Sequence, residues 1–190
     1  MQEVESLVSN GYREIVLTGI HLASYGKDGL DTKLLNVVSE LANIAELKRI
    51  RLGSLEPGII TPEFVELASN INKLCPHYHI SLQSGCDETL KRMNRKYTTA
   101  QYRDAINLLK SEISDVSITT DVMVGFPGES QQEFECTYEF LKELPFTHMH
   151  IFRYSKRKGT PAAKYTEQIS SKIKVLRSEM LLELSQQKQV

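Results

Sequence analysis

Apolar and polar positions along this chain follow two periods in turn. Five short runs carry apolar and β-branched residues at strand spacing: Glu14–Leu17, Arg49–Leu52, Tyr78–Leu82, Ser117–Val124 and His148–Phe152. Between the runs, apolar residues recur every three to four positions, the spacing of one helix face. Leu34, Leu35, Val38, Leu41 and Ala42 form one stripe, and Phe64, Val65, Leu67, Ala68 and Ile71 a second. Tyr102, Ala105, Ile106 and Leu109 form a third, and Phe134, Thr137, Tyr138 and Leu141 a fourth. Successive strand starts lie roughly 30 to 40 residues apart, the length of one βα unit. Thr61-Pro62-Glu63 reads as a helix start with proline in the first helical position. Ser130 followed by Glu133 matches a capping box.

Such alternation predicts an α/β fold with a parallel sheet and right-handed crossovers. Five strands do not close an ordinary eight-stranded barrel, so the options are an open doubly wound sheet or an incomplete barrel. Residues 1–10 read as the second half of a helix, so the chain is expected to begin inside a βα unit. Residues 1–166 then make the core. Residues 167–190 read as an amphipathic helix with apolar Ile169, Ile173, Leu176, Met180, Leu181 and Leu184.

Composition narrows the class only a little. The 190 residues are 41% hydrophobic and 25% charged, which suits one soluble domain with a substantial core. The net charge of −1 means that a polyanionic partner has to meet a local patch. No apolar run approaches the roughly 20 residues of a membrane span. Met1 is followed by polar and acidic residues, unlike a secretory leader. Cys75, Cys86 and Cys136 are 11 and 50 positions apart, which is neither a metal-ligand pattern nor a disulfide framework. Free thiols in a reducing cytoplasm are the expectation.

Chemistry in parallel α/β folds gathers beyond the carboxyl ends of the strands. Those ends read Leu17-Thr18-Gly19-Ile20-His21, Ser54-Leu55-Glu56-Pro57, Ser81-Leu82-Gln83-Ser84-Gly85, Asp121 through Gly125, and Phe152-Arg153-Tyr154-Ser155. This rim of hydroxyls, amides, carboxylates and glycines suits a zwitterionic or ribosylated small molecule. Thr18 and Ser54 can serve a carboxylate, Glu56 or Gln83 an ammonium or ribose hydroxyl, and the strand around Val124 a flat base. Taken singly, Gly19, Gly85 and Gly125 read equally well as turn residues. Asp121 sits inside an apolar strand, where a carboxylate has to be paired or hydrogen-bonded, and it is the candidate catalytic residue. No lysine stands at a strand end, which disfavours Schiff-base chemistry. The pairs His77/His79 and His148/His150 share strand faces but open their strands, so they are expected to lie far from the site, with no metal. Two basic patches follow strand ends: Lys91 to Lys96, and Arg153, Lys156, Arg157 and Lys158. Together they can meet nucleic-acid phosphates, with Tyr97 and Tyr154 as stacking surfaces.

Six segments in order resemble the radical S-adenosylmethionine methylthiotransferases that modify tRNA. They are Glu14-Ile-Val-Leu-Thr-Gly-Ile-His21 with Tyr25-Gly26, Arg49 to Pro57, His79-Ile-Ser-Leu-Gln-Ser-Gly85, Leu90 to Tyr97, Thr119-Thr-Asp-Val-Met-Val-Gly-Phe-Pro-Gly-Glu129, and Arg153 to Ala162. Leu-Thr-Gly-Ile-His resembles most the branch acting on N6-threonylcarbamoyladenosine, at position 37 in the tRNA anticodon loop. The isopentenyladenosine branch usually has Gly-Gln-Asn there.

The resemblance implies a (β/α)6 partial barrel that binds S-adenosylmethionine on a [4Fe–4S] cluster. The Cys-x3-Cys-x2-Cys loop that holds the cluster, the first family strand and the flanking domains do not occur in these residues. The chain therefore reads as the central piece of a longer enzyme, inactive by itself. The resemblance further implies that Thr18 and Gly19 face the methionine amine. Ser54, Glu56, Gln83 and Arg95 serve carboxylate and ribose, Val124 and Gly125 line the adenine, and Asp121 contacts cofactor or substrate base. Arg153, Lys156, Arg157 and Lys158 approach tRNA. The competing classes are a non-catalytic nucleic-acid-binding module and a cluster-independent barrel aldolase or hydrolase.

Overall fold

Strand order decides between the two architectures left open. The computed structural model describes residues 1–19, 22–25 and 34–188. In it β1 (Glu14–Leu17) pairs parallel with β2 (Arg49–Leu52). A second ladder joins β3 (His77–His79), β4 (Ser117–Val124) and β5 (His148–Arg153), all parallel. The isolated bridges Ile50–Leu74 and Leu55–Ile80 link the ladders. The strands thus follow one another in chain order, whereas a doubly wound sheet reverses at a switch point. The fold is an unclosed (β/α) barrel, with β1 and β5 at the edges among the described residues.

The third strand differs from its expected span. Regular pairing covers His77–His79, and beyond it the chain bonds alternately to its two neighbours. Ile80 N–H donates to Thr119 O (2.9 Å), Ser81 N–H to Leu55 O (3.1 Å) and Gln83 N–H to Asp121 O (2.8 Å). This segment serves both ladders at once, so neither one is continuous through it.

Among the described residues seven α-helices surround the sheet: α1 (Gln2–Ser9), α2 (Leu34–Ala42), α3 (Pro62–Ser69), α4 (Asp87–Arg92), α5 (Thr99–Glu112), α6 (Gln131–Glu143) and α7 (Ser171–Gln187). Their starts follow local capping chemistry. Thr61 Oγ1 accepts from Phe64 N–H before α3, and full capping boxes, Thr98 with Gln101 and Ser130 with Glu133, open α5 and α6. The buried sides of α2, α5 and α6 carry the stripes read from the sequence, joined by Phe140. The short α4 has only Thr89 and Leu90 buried, too little for a periodic signal. No described helix is long and apolar enough to cross a membrane.

The stripe expected on α7 divides. Leu181 and Leu184 are buried, while Ile173, Leu176 and Met180 are exposed. The inner side of α7 is instead largely polar, with Arg177, Ser178 and Ser185 buried. Ser185 Oγ accepts from Met149 N–H of β5 at 3.1 Å. Backbone-directed polar contacts orient this helix along with apolar ones.

Alternate residues of β4 face opposite ways: Ile118, Thr120, Val122 and Val124 are buried, and Ser117, Thr119, Asp121 and Met123 are half-buried. On the buried face the Tyr102 hydroxyl lies 2.7 Å from Ile80 O and 3.1 Å from Thr120 Oγ1. Thr120 in turn accepts from Leu82 N–H (3.1 Å). The other face is the concave side of the open barrel.

Gly85 marks where the loop after the third strand meets α6. A Cβ there stands 2.8 Å from Phe140 Cβ and 3.0 Å from Thr137 Cα. Gly85→Ala is expected to destabilise the fold by about 1–3 kcal/mol through overpacking. Urea unfolding checks this, with a lower midpoint at unchanged slope expected.

Candidate functional site

The carboxyl ends of the strands converge as expected from the parallel order. Gly53 N–H donates to Leu17 O at 2.8 Å, and a Cβ on Gly53 stands 3.1 Å from that oxygen. This close approach brings Thr18 and Gly19 beside Ser54, and all three are exposed, as is Glu56. Ile20, His21 and Gly26 lie outside the described residues.

Gln83 is half-buried with φ 73°, a left-handed conformation uncommon for a residue with a Cβ. Its N–H and C=O are both taken by β4, from Asp121 O and Met123 N–H. Tyr97 clamps the chain just before it, its hydroxyl 3.0 Å from both Ser81 O and Leu82 O. Burial pushes the Tyr97 hydroxyl up to about 12, with Arg95 pulling it down and Glu56 pushing it up. Glu56, Arg95 and Tyr97 therefore share one electrostatic neighbourhood at this rim. Arg95 is half-buried, and its Nε is buried without a partner among the described residues. The Nε atoms of Arg92 and Arg177 are buried in the same state, so this feature does not by itself mark a ligand site.

The β4–α6 turn is held differently. Val124 is 1% exposed and lies in the core, so its side chain packs inward. Gly125 is buried with φ 71°, and any Cβ there would collide with Lys174 Cγ of α7. Lys174 Nζ donates to Tyr154 O at 2.9 Å and stands 5.0 Å over the Tyr154 ring. Burial lowers the Lys174 pKa. Gly125 N–H donates to Glu129 Oε1 (2.9 Å), which pairs with Arg177 at 2.5 Å. The Glu129 and Arg177 side chains are 3% and 5% exposed. Burial pushes the Glu129 carboxyl up, against the pull of Gly125 N–H and Arg177. Whatever this turn offers a ligand is backbone and the stem of Lys174.

Asp121 has a partner that the strand reading placed elsewhere. His79 Nε2 lies 3.2 Å from Asp121 Oδ2, and His150 stands opposite Asp121 in the β4–β5 register. The histidine pairs therefore do not lie far from the candidate residues: they share the concave face with Asp121. Their i, i+2 spacing was the available signal; the register between strands was not readable.

Arg153, Lys156, Arg157 and Lys158 are all exposed, with no acidic partner among the described residues. The other patch is largely committed internally. Arg92 forms a two-pronged pair with Glu133 (2.7 and 2.8 Å), and Lys96 Nζ donates to Asn94 Oδ1 (2.8 Å). Tyr154 is 8% exposed beneath Lys174 and against Phe126, so it offers no stacking surface. Cys75 and Cys86 are buried and Cys136 is exposed, and no group of three His, Cys, Asp or Glu among the described residues can hold a metal.

A sequence model of the Radical SAM superfamily matches residues 1–141. The chain belongs to this superfamily. It is 45% identical over 188 residues to the threonylcarbamoyladenosine tRNA methylthiotransferase MtaB of Bacillus subtilis, covering 98% of this chain and 42% of that protein. It is 39% identical to MtaB of Thermotoga maritima, covering 96% and 42%. It is 38% identical to a tRNA-2-methylthio-N(6)-dimethylallyladenosine synthase of Clostridium botulinum, covering 96% and 41%. The chain thus spans about two fifths of these relatives. Among solved structures, the radical SAM enzyme coproporphyrinogen III oxidase (HemN) of Escherichia coli superposes with TM-score 0.73 at 14% identity, covering 98% of this chain and 45% of that one. Elp3 of Methanocaldococcus infernus gives TM-score 0.63 at 16% identity, covering 94% and 47%. At these identities the likeness is one of fold.

Radical SAM proteins use S-adenosylmethionine and a [4Fe–4S] cluster. The donor set of the rim fits the first: the Thr18 and Ser54 hydroxyls, the Glu56 carboxylate, the Gln83 amide and the Arg95 guanidinium suit an amino acid and a ribose. The second does not fit these residues, because Cys75, Cys86 and Cys136 form no ligand set among the described residues.

The Arg92 guanidinium holds the Glu133 carboxyl below its ordinary value of 4.5. A carboxyl lowered on folding adds stability above its unfolded pKa and loses it as pH falls through the folded one. Arg92→Gln is therefore expected to lower the midpoint of urea unfolding at pH 7 and to shrink the loss seen below about pH 4.5. A series of unfolding curves from pH 7 to pH 3 measures both.

Proposed function

We propose that this chain is the S-adenosylmethionine-binding barrel of a tRNA methylthiotransferase that adds a methylthio group to C2 of N6-threonylcarbamoyladenosine at position 37. The observation that carries the reading is the 45% identity to a threonylcarbamoyladenosine methylthiotransferase across 98% of the chain. The strand-end rim supports it chemically. Thr18 and Gly19 face the methionine amine, and Ser54, Glu56, Gln83 and Arg95 hold carboxylate and ribose. The Val124–Gly125 backbone closes the adenine side, with the Lys174 stem beside it. Asp121, one strand turn deeper, faces the base to be modified. The cluster that makes the cofactor reactive belongs to other residues of the longer enzyme, and the protein's own task is binding and orientation. The dimethylallyladenosine relatives, at 38% identity, are the competing branch.

Calorimetry on this chain tests the rim. Weak S-adenosylmethionine binding is expected, lowered about tenfold further by Arg95→Ala, the loss of one charge-assisted hydrogen bond. Binding unchanged by that substitution removes Arg95 from the site. Anaerobic reconstitution with iron and sulfide is expected to yield no [4Fe–4S] absorbance.

The exposed cations after β5 supply the contact to tRNA phosphates. Replacing Arg153, Lys156, Arg157 and Lys158 by glutamine is expected to reduce the slope of log affinity against log salt by about 3 to 4. Filter binding of tRNA over a salt series measures it. An unchanged slope moves the RNA surface elsewhere, and salt-dependent binding with no response to S-adenosylmethionine favours a non-catalytic RNA-binding role.

A further inference from the structure

Cys86 and Cys136 are 50 positions apart in the chain, and folding removes that distance. Cys86 stands immediately before α4, at the end of the loop that leaves the third strand. Cys136 sits in the second turn of α6. Contacts on either side pin the two segments together. Ser84 Oγ lies 3.1 Å from Thr137 Oγ1, and both residues are buried. A Cβ on Gly85 stands 3.0 Å from Thr137 Cα. At the other end of α4, Arg92 holds Glu133 of α6 through hydrogen bonds of 2.7 and 2.8 Å. The two cysteines sit between these ties.

Their thiols meet across the seam. Cys136 is exposed as a residue, yet its Sγ–H donates inward to Gly85 O at 3.6 Å. That carbonyl belongs to the peptide bond that joins Gly85 to Cys86. The Cys86 thiol is itself within hydrogen-bonding reach of the Cys136 side chain. Cys86 is 7% exposed. Cys75 lies elsewhere, before the third strand begins, with its N–H donating to Ile50 O at 2.9 Å. The chain thus holds one neighbouring pair of thiols and one remote thiol.

Burial raises the Cys136 thiol above its ordinary value of 9.0, and the Cys86 sulfur, Asp87 and Glu133 push the same way. Thiolate is the reactive form, so Cys136 reacts slowly at neutral pH and calls for sustained exposure to an oxidant.

We propose that Cys86 and Cys136 form a reversible dithiol–disulfide couple, oxidised by a peroxide, that bolts the loop after the third strand onto α6. The exposed Cys136 reacts first. It loses its proton, and its sulfur attacks one oxygen of hydrogen peroxide. The O–O bond breaks, leaving a sulfenic acid on Cys136 and a hydroxide. That hydroxide takes the Cys86 proton and becomes water. The Cys86 sulfur then attacks the Cys136 sulfur: the S–S bond forms, the S–O bond breaks, and the hydroxide released takes up the proton first lost by Cys136. Two thiols and one peroxide give one disulfide and two waters, with two electrons passing from sulfur to oxygen. Gln83 lies three residues before Cys86, so the bond reaches the strand-end rim. The couple does not depend on the function proposed above.

The native chain, held in millimolar hydrogen peroxide and then treated with catalase, tests this. Intact mass is expected to fall by two hydrogens, and titration after denaturation to find one free thiol of the three. A non-reducing peptide map is expected to join Cys86 to Cys136, and dithiothreitol to restore all three thiols. Cys136→Ser, at an exposed position, should abolish the crosslink, and Cys75→Ala should leave it. Closing a loop of this length should favour folding by roughly 30- to 1,000-fold, read as a higher urea midpoint for the oxidised chain than for the reduced one. Three unchanged thiols, a bond to Cys75 or between two chains, Cys136 carried on to sulfinic acid with Cys86 still free, or a lower urea midpoint for the crosslinked chain each overturns the proposal.

Discussion

The buried pair of Glu129 and Arg177 holds the part of the molecule that everything at the strand ends leans on. Glu129 accepts the N–H of Gly125, and Arg177 binds both the carboxylate and the main-chain oxygen of Glu129. One pair therefore defines the left-handed turn after β4, the start of α6 and the seat of α7. Buried ion pairs add little stability over apolar replacements of the same shape, but losing one partner strands the other. What such a pair supplies here is geometry: α7 has a single seat against the turn, which Lys174 completes by lying over Gly125.

Around that anchor the sheet divides its labour by face. The helix-side residues of β4 carry the core, with Thr120 and Tyr102 satisfying one another and the Ile80 carbonyl. The opposite residues carry imidazoles, a hydroxyl and a carboxylate. A polar face on a parallel sheet is tolerable where its groups bond one another or meet water; Asp121, His79 and Thr119 bond one another, while His77 bonds Thr119 through Nε2 and leaves Nδ1 buried without a partner.

Much of the fold was legible because its signals are local. The period-two and period-3.6 stretches, the Thr61 and Ser130 caps and the exposed cations after β5 each depend on a few neighbouring residues. What escaped depends on register and crossing. Nothing within His77-Tyr78-His79 says that Asp121, 42 positions on from His79, will stand beside it. The inner side of α7 was misread because Arg177 and Ser185 count as outward residues in any hydropathy pattern, yet their partners lie inside.

The contact between Gly125 and Lys174 bears on any exchange of parts with another chain. A turn with no room for a methyl group and a lysine stem filling that room are two halves of one shape. Exchanging α7 between relatives as a cassette would therefore transplant half of a lock. A chimera keeps this packing only when the turn after β4 and the first coils of α7 come from the same parent.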